Sequence, residues 1–397
     1  QRQMCIRDRP LSEQAILAAS NKGSNDIFGQ YVAINGDRAL VAAPAEDTPS
    51  ADNNGALYFY TRSGTTWTET QGPIRSTSLE NNQYLGRISA NSNFDRIAVG
   101  GFSNGLYIFD RSGTTWSQTG SKLSLSNSTS LNSAYRDVGM SEDGNYVVTG
   151  SQFSSGGGTE RGVAGIFYYN GSSWSQQASL TGSDLINGAQ FGWSCDISGD
   201  TAVVSAISQT VLDTFDGALY VFTRSGTSWS QQQKLNISGS GRLGQYGLVI
   251  DGDTIVASSY QTTVGGVTFA GVVYVFTRSG STWSHQQTLS ASTPIQHAKF
   301  GSEIDLDGDT LVIGSSGQYL PGTTTRVGSS YVFTRTGTTW TQQKEVQASD
   351  AASGDTFGYS VGVSGTDIIV GAPNNDSPSN SGRAYVYEFN GTDWNQL

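Results

Sequence analysis

Between Asp196 and Leu235 the pattern of apolar and polar positions changes four times. Asp196–Ser198 is short and ends at Gly199-Asp200. Thr201–Ala206 is apolar and β-branched. Gly217–Arg224 contains Leu219-Tyr220-Val221-Phe222, four apolar or aromatic residues in a row. Ser228–Leu235 is rich in Ser and Gln. This periodicity and composition predict four strands, a to d, and no helix. Successive strand residues point to opposite faces, so strand c is apolar on both. The connections read as tight turns. Asn35-Gly36-Asp37, Asp251-Gly252-Asp253 and Asp307-Gly308-Asp309 place Gly where a hairpin needs positive φ, and Ser225-Gly226-Thr227 does the same between c and d.

The unit recurs. Thr61–Trp67, Asp110–Trp116, Thr223–Trp229, Thr277–Trp283 and Thr334–Trp340 are near copies of one heptapeptide, and looser copies end at Trp174 and Trp394. These tryptophans lie 49 to 58 residues apart, which is the signature of a repeat architecture. A sheet that is apolar on both faces must sit between two others. A ring of such sheets is a β-propeller, which leaves only short protected edges. A solenoid would need polar caps, and the first and last copies carry none.

The expected fold is therefore all-β: a seven-bladed β-propeller of four-stranded antiparallel blades, one domain over residues 11–397. The blades open near residues 28, 85, 135, 191, 246, 300 and 357. Residues 1–10 do not resemble the repeat and read as a non-native or disordered leader. Leu11–Ser20 aligns with strand d of other copies, whereas the last copy stops at Leu397, short of a full strand d. The segment is predicted to close the ring as the outer strand of the last blade; the tail of an upstream repeat is the alternative.

A net charge of −11 with five lysines argues against nucleic acid, whose phosphates attract Lys and Arg. No run of 18 apolar residues predicts a membrane-spanning helix. Two cysteines, Cys5 and Cys195, cannot build a disulfide framework. Cys195 is expected to be a small core residue.

Chemical motifs are few. Gly-Thr-Thr-Trp resembles half of the Asp-box of sialidase propellers, but Arg62, Arg224, Arg278 and Arg335 stand where the Asp would be. Repeated in this way, they read as scaffold: stems laid on a neighbouring aromatic ring, guanidinium groups in water. The repeated tryptophans read as packing residues between blades. His285 occupies a Gln position on strand d. His297 shares a d–a loop with Lys299 and Glu303, a thin basis for acid–base chemistry. No nucleophile elbow, phosphate loop or His/Cys cluster appears, so no catalytic residue is assigned. Asn170, Asn236 and Asn390 open short glycosylation-acceptor patterns.

Phe28-Gly29 followed by Ala42-Ala43-Pro44, and Phe357-Gly358 followed by Gly371-Ala372-Pro373, resemble the FG-GAP repeat. The resemblance covers nearly the whole chain. It implies the seven-bladed propeller of integrin α-subunit heads and related bacterial surface proteins, with an extracellular or cell-surface setting and a binding or adhesion role. Calcium-binding members carry an acidic a–b loop of DxDxDG type. Here that loop is cut to a turn: Asp305 falls within strand a, and Asp307-Gly308-Asp309 is too short to encircle an ion. No cofactor or metal is assigned on that basis, although a calcium ion bridging acidic b–c loops stays open.

Function is expected on the face of the long, dissimilar b–c and d–a loops, because variable loops on a rigid scaffold carry recognition. Its candidate ligand-binding residues are Glu46, Asp47, Asp52, Arg161, Asp213, Phe215, Asp216, Tyr260, Phe269, Tyr319, Arg326 and Asp376. The mixture suits a protein or glycan ligand at the cell surface, met by a monomeric propeller within a larger chain. Two alternatives remain: a purely structural repeat domain, and a polysaccharide hydrolase or lyase. The last requires unlike acidic and basic groups converging at the mouth of the central channel.

Overall fold

The structure is a computed structural model that describes residues 15–78, 80–101, 105–126, 128, 137–155, 159–210, 216–319, 325–375, 380–389 and 394–395. These residues form seven antiparallel sheets and no helix. Blade 4 matches the sequence pattern closely: β14 (Phe191–Ser198), β15 (Thr201–Ala206), β16 (Ala218–Ser225) and β17 (Ser228–Leu235), paired in chain order. Strand a starts earlier than Asp196, at Phe191, because an irregularity between Phe191 and Cys195 carries the chain past the bulge.

Each blade interface holds its own apolar cluster. Between blades 1 and 2, Trp116 meets Phe59 edge-on at 5.8 Å and Phe94 at 6.1 Å. Packing between neighbours, rather than within a blade, is the consequence of a strand c with two apolar faces.

The Phe-Gly opener docks onto the preceding blade. The backbone N–H of Phe191 donates to Arg161 O at 2.8 Å, that of Phe357 to Val327 O at 3.0 Å and that of Phe28 to Ser381 O at 3.1 Å. The partner glycine before strand c allows the approach: a Cβ on Gly382, at φ 80°, would lie 1.9 Å from Phe28 O. The residue before each described opener is left-handed: Ile27, Tyr84, Gln190, Arg242, Lys299 and Thr356, with φ between 46° and 70°. By this geometry blade 5 opens at Leu243-Gly244, not at Tyr246-Gly247. Leu243 N–H donates to Asp216 O, and Gly244 N–H donates to Ser258 O just as Gly358 N–H does to Gly371 O. The third opener, Tyr135-Arg136, lies outside the described residues.

The ring closes on the last blade. β1 (Ala15–Leu17) pairs with β28 (Arg383–Phe389), with Ala15 opposite Val386 and Leu17 opposite Ala384. β29 (Trp394–Asn395) pairs with the far end of the same strand. Leu17 is buried with Ile369 and Val386 in the cluster joining blades 7 and 1.

Polar side chains stitch the blades at three radii. Outermost, Gln233 donates its amide to Trp283 O and accepts Trp283 N–H, both at 2.8 Å; Gln287 does the same to Trp340 and Gln71 to Trp116. The Gln-rich strand d thus satisfies backbone groups that an edge would leave open. Innermost, Asp251 accepts Gly308 N–H at 2.8 Å and Asp307 accepts Gly365 N–H at 2.6 Å; Ser364 accepts Gly36 N–H across the closure. Between these lie the repeated arginines. Arg62 stacks 5.3 Å from Trp67, donates to Asp37 in the a–b turn of its own blade and reaches Asp367 of blade 7 at 2.7 and 2.9 Å. Arg278 and Arg335 stack on Trp283 and Trp340 at 5.1 Å and reach Thr201 and Thr254 of the preceding blades. Arg224 lies 4.4 Å over Tyr146 of blade 3. The stacking agrees with the sequence reading. The Arg62 guanidinium, however, is withdrawn from water, with only 11% of its side chain exposed, whereas Arg224, Arg278 and Arg335 keep 21–23%.

Candidate functional site

Antiparallel pairing in the order a, b, c, d puts the a–b and c–d turns on one face of the ring and the b–c and d–a loops on the other. On the loop face, the channel along the axis widens into a cavity of about 580 Å³. Its wall is made where strands a begin and strands b end. Tyr31, Arg87, Tyr246, Ser302, Glu303 and Tyr359 come from the starts of a. Pro44, Gly101, Tyr260 and Ser316 come from the ends of b, and Tyr84 and Lys299 come from the left-handed positions before the openers.

Five tyrosines therefore ring one opening. Tyr246 and Tyr260 meet edge-on at 4.8 Å. Tyr359 is exposed and its hydroxyl takes a 3.4 Å contact from the Gln30 amide. Tyr31 lies under the Arg87 guanidinium at 5.0 Å. Tyrosine suits such a position, presenting an apolar ring and a polar tip together.

At the floor, unlike charges converge. Arg87 Nη1 contacts Asp137 Oδ1 at 3.1 Å and Glu303 Oε2 at 3.4 Å. Glu303 is enclosed by blades on every side, although 17% of its side chain still touches the channel space. Burial pushes its carboxyl up to about 8, against the lowering pull of Arg87. Asp137 is raised by burial too, and its oxygens already accept the N–H groups of Val138 and Cys195. Deeper in the channel, burial raises Asp196 well above its ordinary value and Asp305 to about 7.

The acidic string at the sixth a–b turn is structural. Asp305 accepts Leu306 N–H at 3.0 Å and Val363 N–H of blade 7 at 2.7 Å, and Asp307 accepts Gly365 N–H. Among the described residues no three His, Cys, Asp or Glu side chains gather as a metal-binding group. None of the helix-free described segments offers a membrane-spanning helix.

The residues expected on the loop face scatter. Tyr260 alone lines the cavity. Glu46 is a correction: it is buried, paired with Arg75, and accepts the hydroxyl of Tyr58 and the amide of Asn21. Asp216 is a second: its residue is 2% exposed, and its carbonyl anchors Leu243 and Ser240. Asp47 caps Asn53 N–H at 2.7 Å, and Asp52 binds Asn81 and Asn82 through its backbone. Arg161 holds the blade 4 opener through its carbonyl. Arg326 donates to Tyr319 and stacks on it at 5.1 Å. Phe269, 42% exposed, stacks on His297 at 5.2 Å. Asp213, Phe215 and Asp376 lie outside the described residues. Of the His297, Lys299 and Glu303 trio, the last two line the cavity and His297 does not.

Part of the cavity that was missed carries a signal in the sequence. Several of its residues sit two or three places after an opener, at Gln30-Tyr31, Arg87, Ser302-Glu303 and Tyr359, where a repeat that is otherwise uniform changes residue from blade to blade.

Comparison with known proteins agrees with this architecture. The model of the FG-GAP repeat matches residues 11–60, 174–222, 283–333 and 340–387. No curated protein matches the sequence. Among solved structures, one titled "Structure of U3-55K" superposes with a TM-score of 0.59 over 94% of this chain and 97% of that chain, at 9% identity. At that identity the likeness concerns the fold alone. The chain is an FG-GAP repeat protein, with its repeats closed into a seven-bladed β-propeller.

Proposed function

We propose that this propeller is a non-catalytic binding module that takes a protein or glycan ligand at the loop-face mouth of its channel. FG-GAP repeats are typical of extracellular proteins, and an extracellular or cell-surface adhesion role is part of this reading. The observation that carries it is the ring of five tyrosines around a cavity of about 580 Å³. That volume falls within the roughly 300–1,000 Å³ of ligand pockets, and aromatic walls with a few convergent polar groups are their usual composition.

The test is capture on a glycan and matrix-protein array, with and without calcium. The wild-type protein should retain ligand, and the Tyr260→Ala/Tyr359→Ala double variant should lose it. Capture that is indifferent to both changes would move the site elsewhere.

One observation favours the hydrolytic alternative: Arg87, Asp137 and Glu303 do meet at the floor of the cavity. Against it, Asp137 is buried and committed to two backbone N–H groups, and both carboxylates share one guanidinium nitrogen. This arrangement supports the floor rather than freeing an acid and a base. Polysaccharide cleavage that Glu303→Gln abolishes would reverse the assignment.

A further inference from the structure

Resting on that reading, we infer that the ligand class is the end of a neutral carbohydrate chain, bound in the tyrosine-ringed cavity.

Three features of the cavity select this class. The first is wall chemistry. Sugars present apolar C–H faces and hydroxyl rims together, and tyrosine rings match the first while hydrogen-bonding groups match the second. The cavity supplies both: rings from Tyr31, Tyr84, Tyr246, Tyr260 and Tyr359, and polar groups from Gln30, Ser302, Ser316, Lys299 and Glu303. The polar set contains amide and ammonium donors, hydroxyls of either sense and a carboxyl, which suits hydroxyl groups that donate and accept at once.

The second is charge. Arg87 is shared between Asp137 and Glu303, and among the described residues the remaining cation lining the cavity is the exposed Lys299. Among the described residues no cluster of one sign faces the opening. A phosphorylated or sulfated ligand calls for several convergent cations, and Arg87 is already engaged.

The third is the state of the backbone. An extended peptide gains affinity by pairing with free strand edges. At this mouth the opener glycines have spent their N–H groups: Gly29 on Ala42, Gly86 on Gly100, Gly244 on Ser258 and Gly358 on Gly371. These opener amides cannot pair with a peptide, and the groups that converge on the cavity are the side chains of its wall. The cavity also sits on the axis and is closed below by the Arg87–Glu303 contact, so it fits a chain terminus better than a strand passing through.

Within the cavity, Tyr359 is the most accessible ring, 37% exposed, and the Tyr246–Tyr260 corner is a second platform. Glu303 faces the same space from the floor. Tyr359 and Tyr260 are assigned to stacking, and Glu303 with Lys299 to hydroxyl contacts.

The experiment is isothermal titration of the purified protein with two soluble panels. One holds neutral oligosaccharides (gluco-, manno-, xylo- and N-acetylglucosamine oligomers). The other holds acidic ones (oligogalacturonate, oligoalginate, heparin fragments). Tyr359→Ala and Tyr260→Ala are compared after their thermal midpoints are shown to match the wild type, and Tyr359→Phe serves as a milder variant. The inference expects a neutral oligomer to bind, with tenfold or greater loss in Tyr359→Ala and near-retention in Tyr359→Phe. Binding only from the acidic panel overturns it, as does neutral binding that both alanine variants leave unchanged. If no saccharide binds but a matrix protein is captured in a Tyr359-dependent way, the carbohydrate assignment falls and the cavity remains the site. If nothing binds, both fall.

Discussion

Arg87 and Glu303 stand 216 residues apart in sequence and meet across the channel axis, Nη1 to Oε2 at 3.4 Å. The contact joins blade 2 to blade 6 rather than two neighbours, which only a closed ring permits. It also places a carboxyl in an enclosed setting where burial pushes its pKa up to about 8, against the lowering pull of Arg87.

The pH dependence of stability follows from that shift. A carboxyl whose affinity for protons is higher folded than unfolded stabilises the fold when protonated. For Glu303 this contribution is full below its ordinary value of 4.5 and is lost as pH rises to about 8. For Asp305 the window runs from 3.8 to about 7. The thermal midpoint should therefore be higher at pH 5 than at pH 8.5, and Glu303→Gln should flatten that slope. Midpoints measured by circular dichroism at half-unit pH steps decide it. A wild-type midpoint that rises from pH 5 to 8.5 would refute the assignment.

Arginine substitutions should not be equivalent, although the arginines are copies. Arg62 and Asp367 are both poorly exposed, at 11% and 5% of their side chains. Arg62→Ala strands a buried carboxylate and should cost about 3 kcal/mol, the scale for breaking a buried pair. Arg335 pairs with Asp309, which is 70% exposed, so its salt bridge contributes little, and Arg335→Ala should cost about 1 kcal/mol. Urea unfolding of the two variants measures the difference, and equal losses would show that the contact to blade 7 adds nothing.

Glycines with the same backbone sign divide in the same way. Gly36, at φ 52°, has nothing within 4 Å of a built Cβ, whereas Gly382, at φ 80°, would drive its Cβ into Phe28 O. Gly36→Ala should cost about 1–2 kcal/mol, the price of a left-handed residue. Gly382→Ala must also undo the docking of blade 1 on blade 7, so it should unfold at clearly lower denaturant. Comparable midpoints for the two variants would mean that the opener contact is dispensable.

Much of the fold was legible because its causes are local. Leu219–Phe222 is apolar on both faces wherever it lies, and Gly-Asp turns dictate hairpins at short range. Blade 5 was misplaced by three residues because Tyr246-Gly247 imitates an opener. Docking of Leu243 onto Asp216, which settles the matter, is a long-range contact. The cavity was illegible for a related reason. Tyr31, Tyr246 and Tyr359 gather only when three blades are placed about one axis, and no spacing along the chain reports that. Glu46 and Asp216 looked like loop acids. Nothing near Glu46 in sequence announces that Arg75 and Tyr58 will enclose it. The usable clue was variation inside the uniform motif, just after each opener, rather than the length of the loops.

Ring closure offers the most direct test of how the propeller is held together. Among the described residues three of the closing segment pair with β28, and burial differs sharply between two of them: Leu17 is 3% exposed and Ile16 42%. Leu17 packs with Ile369, Ala384 and Val386, at the seam where blade 7 meets blade 1. Leu17→Ala leaves a cavity at that seam and should cost about 2–4 kcal/mol. Ile16→Ala removes a side chain that is 42% exposed and should cost about 1 kcal/mol or less. A closing strand that matters predicts more than a difference in midpoint. Opening at the seam should expose the strand that begins at Arg383, so amide exchange in Ala384–Val386 should accelerate in Leu17→Ala while β15 and β16 of blade 4 keep their protection. Exchange that speeds up evenly around all seven blades would instead mean that the ring unfolds as one unit and that β1 is no special latch.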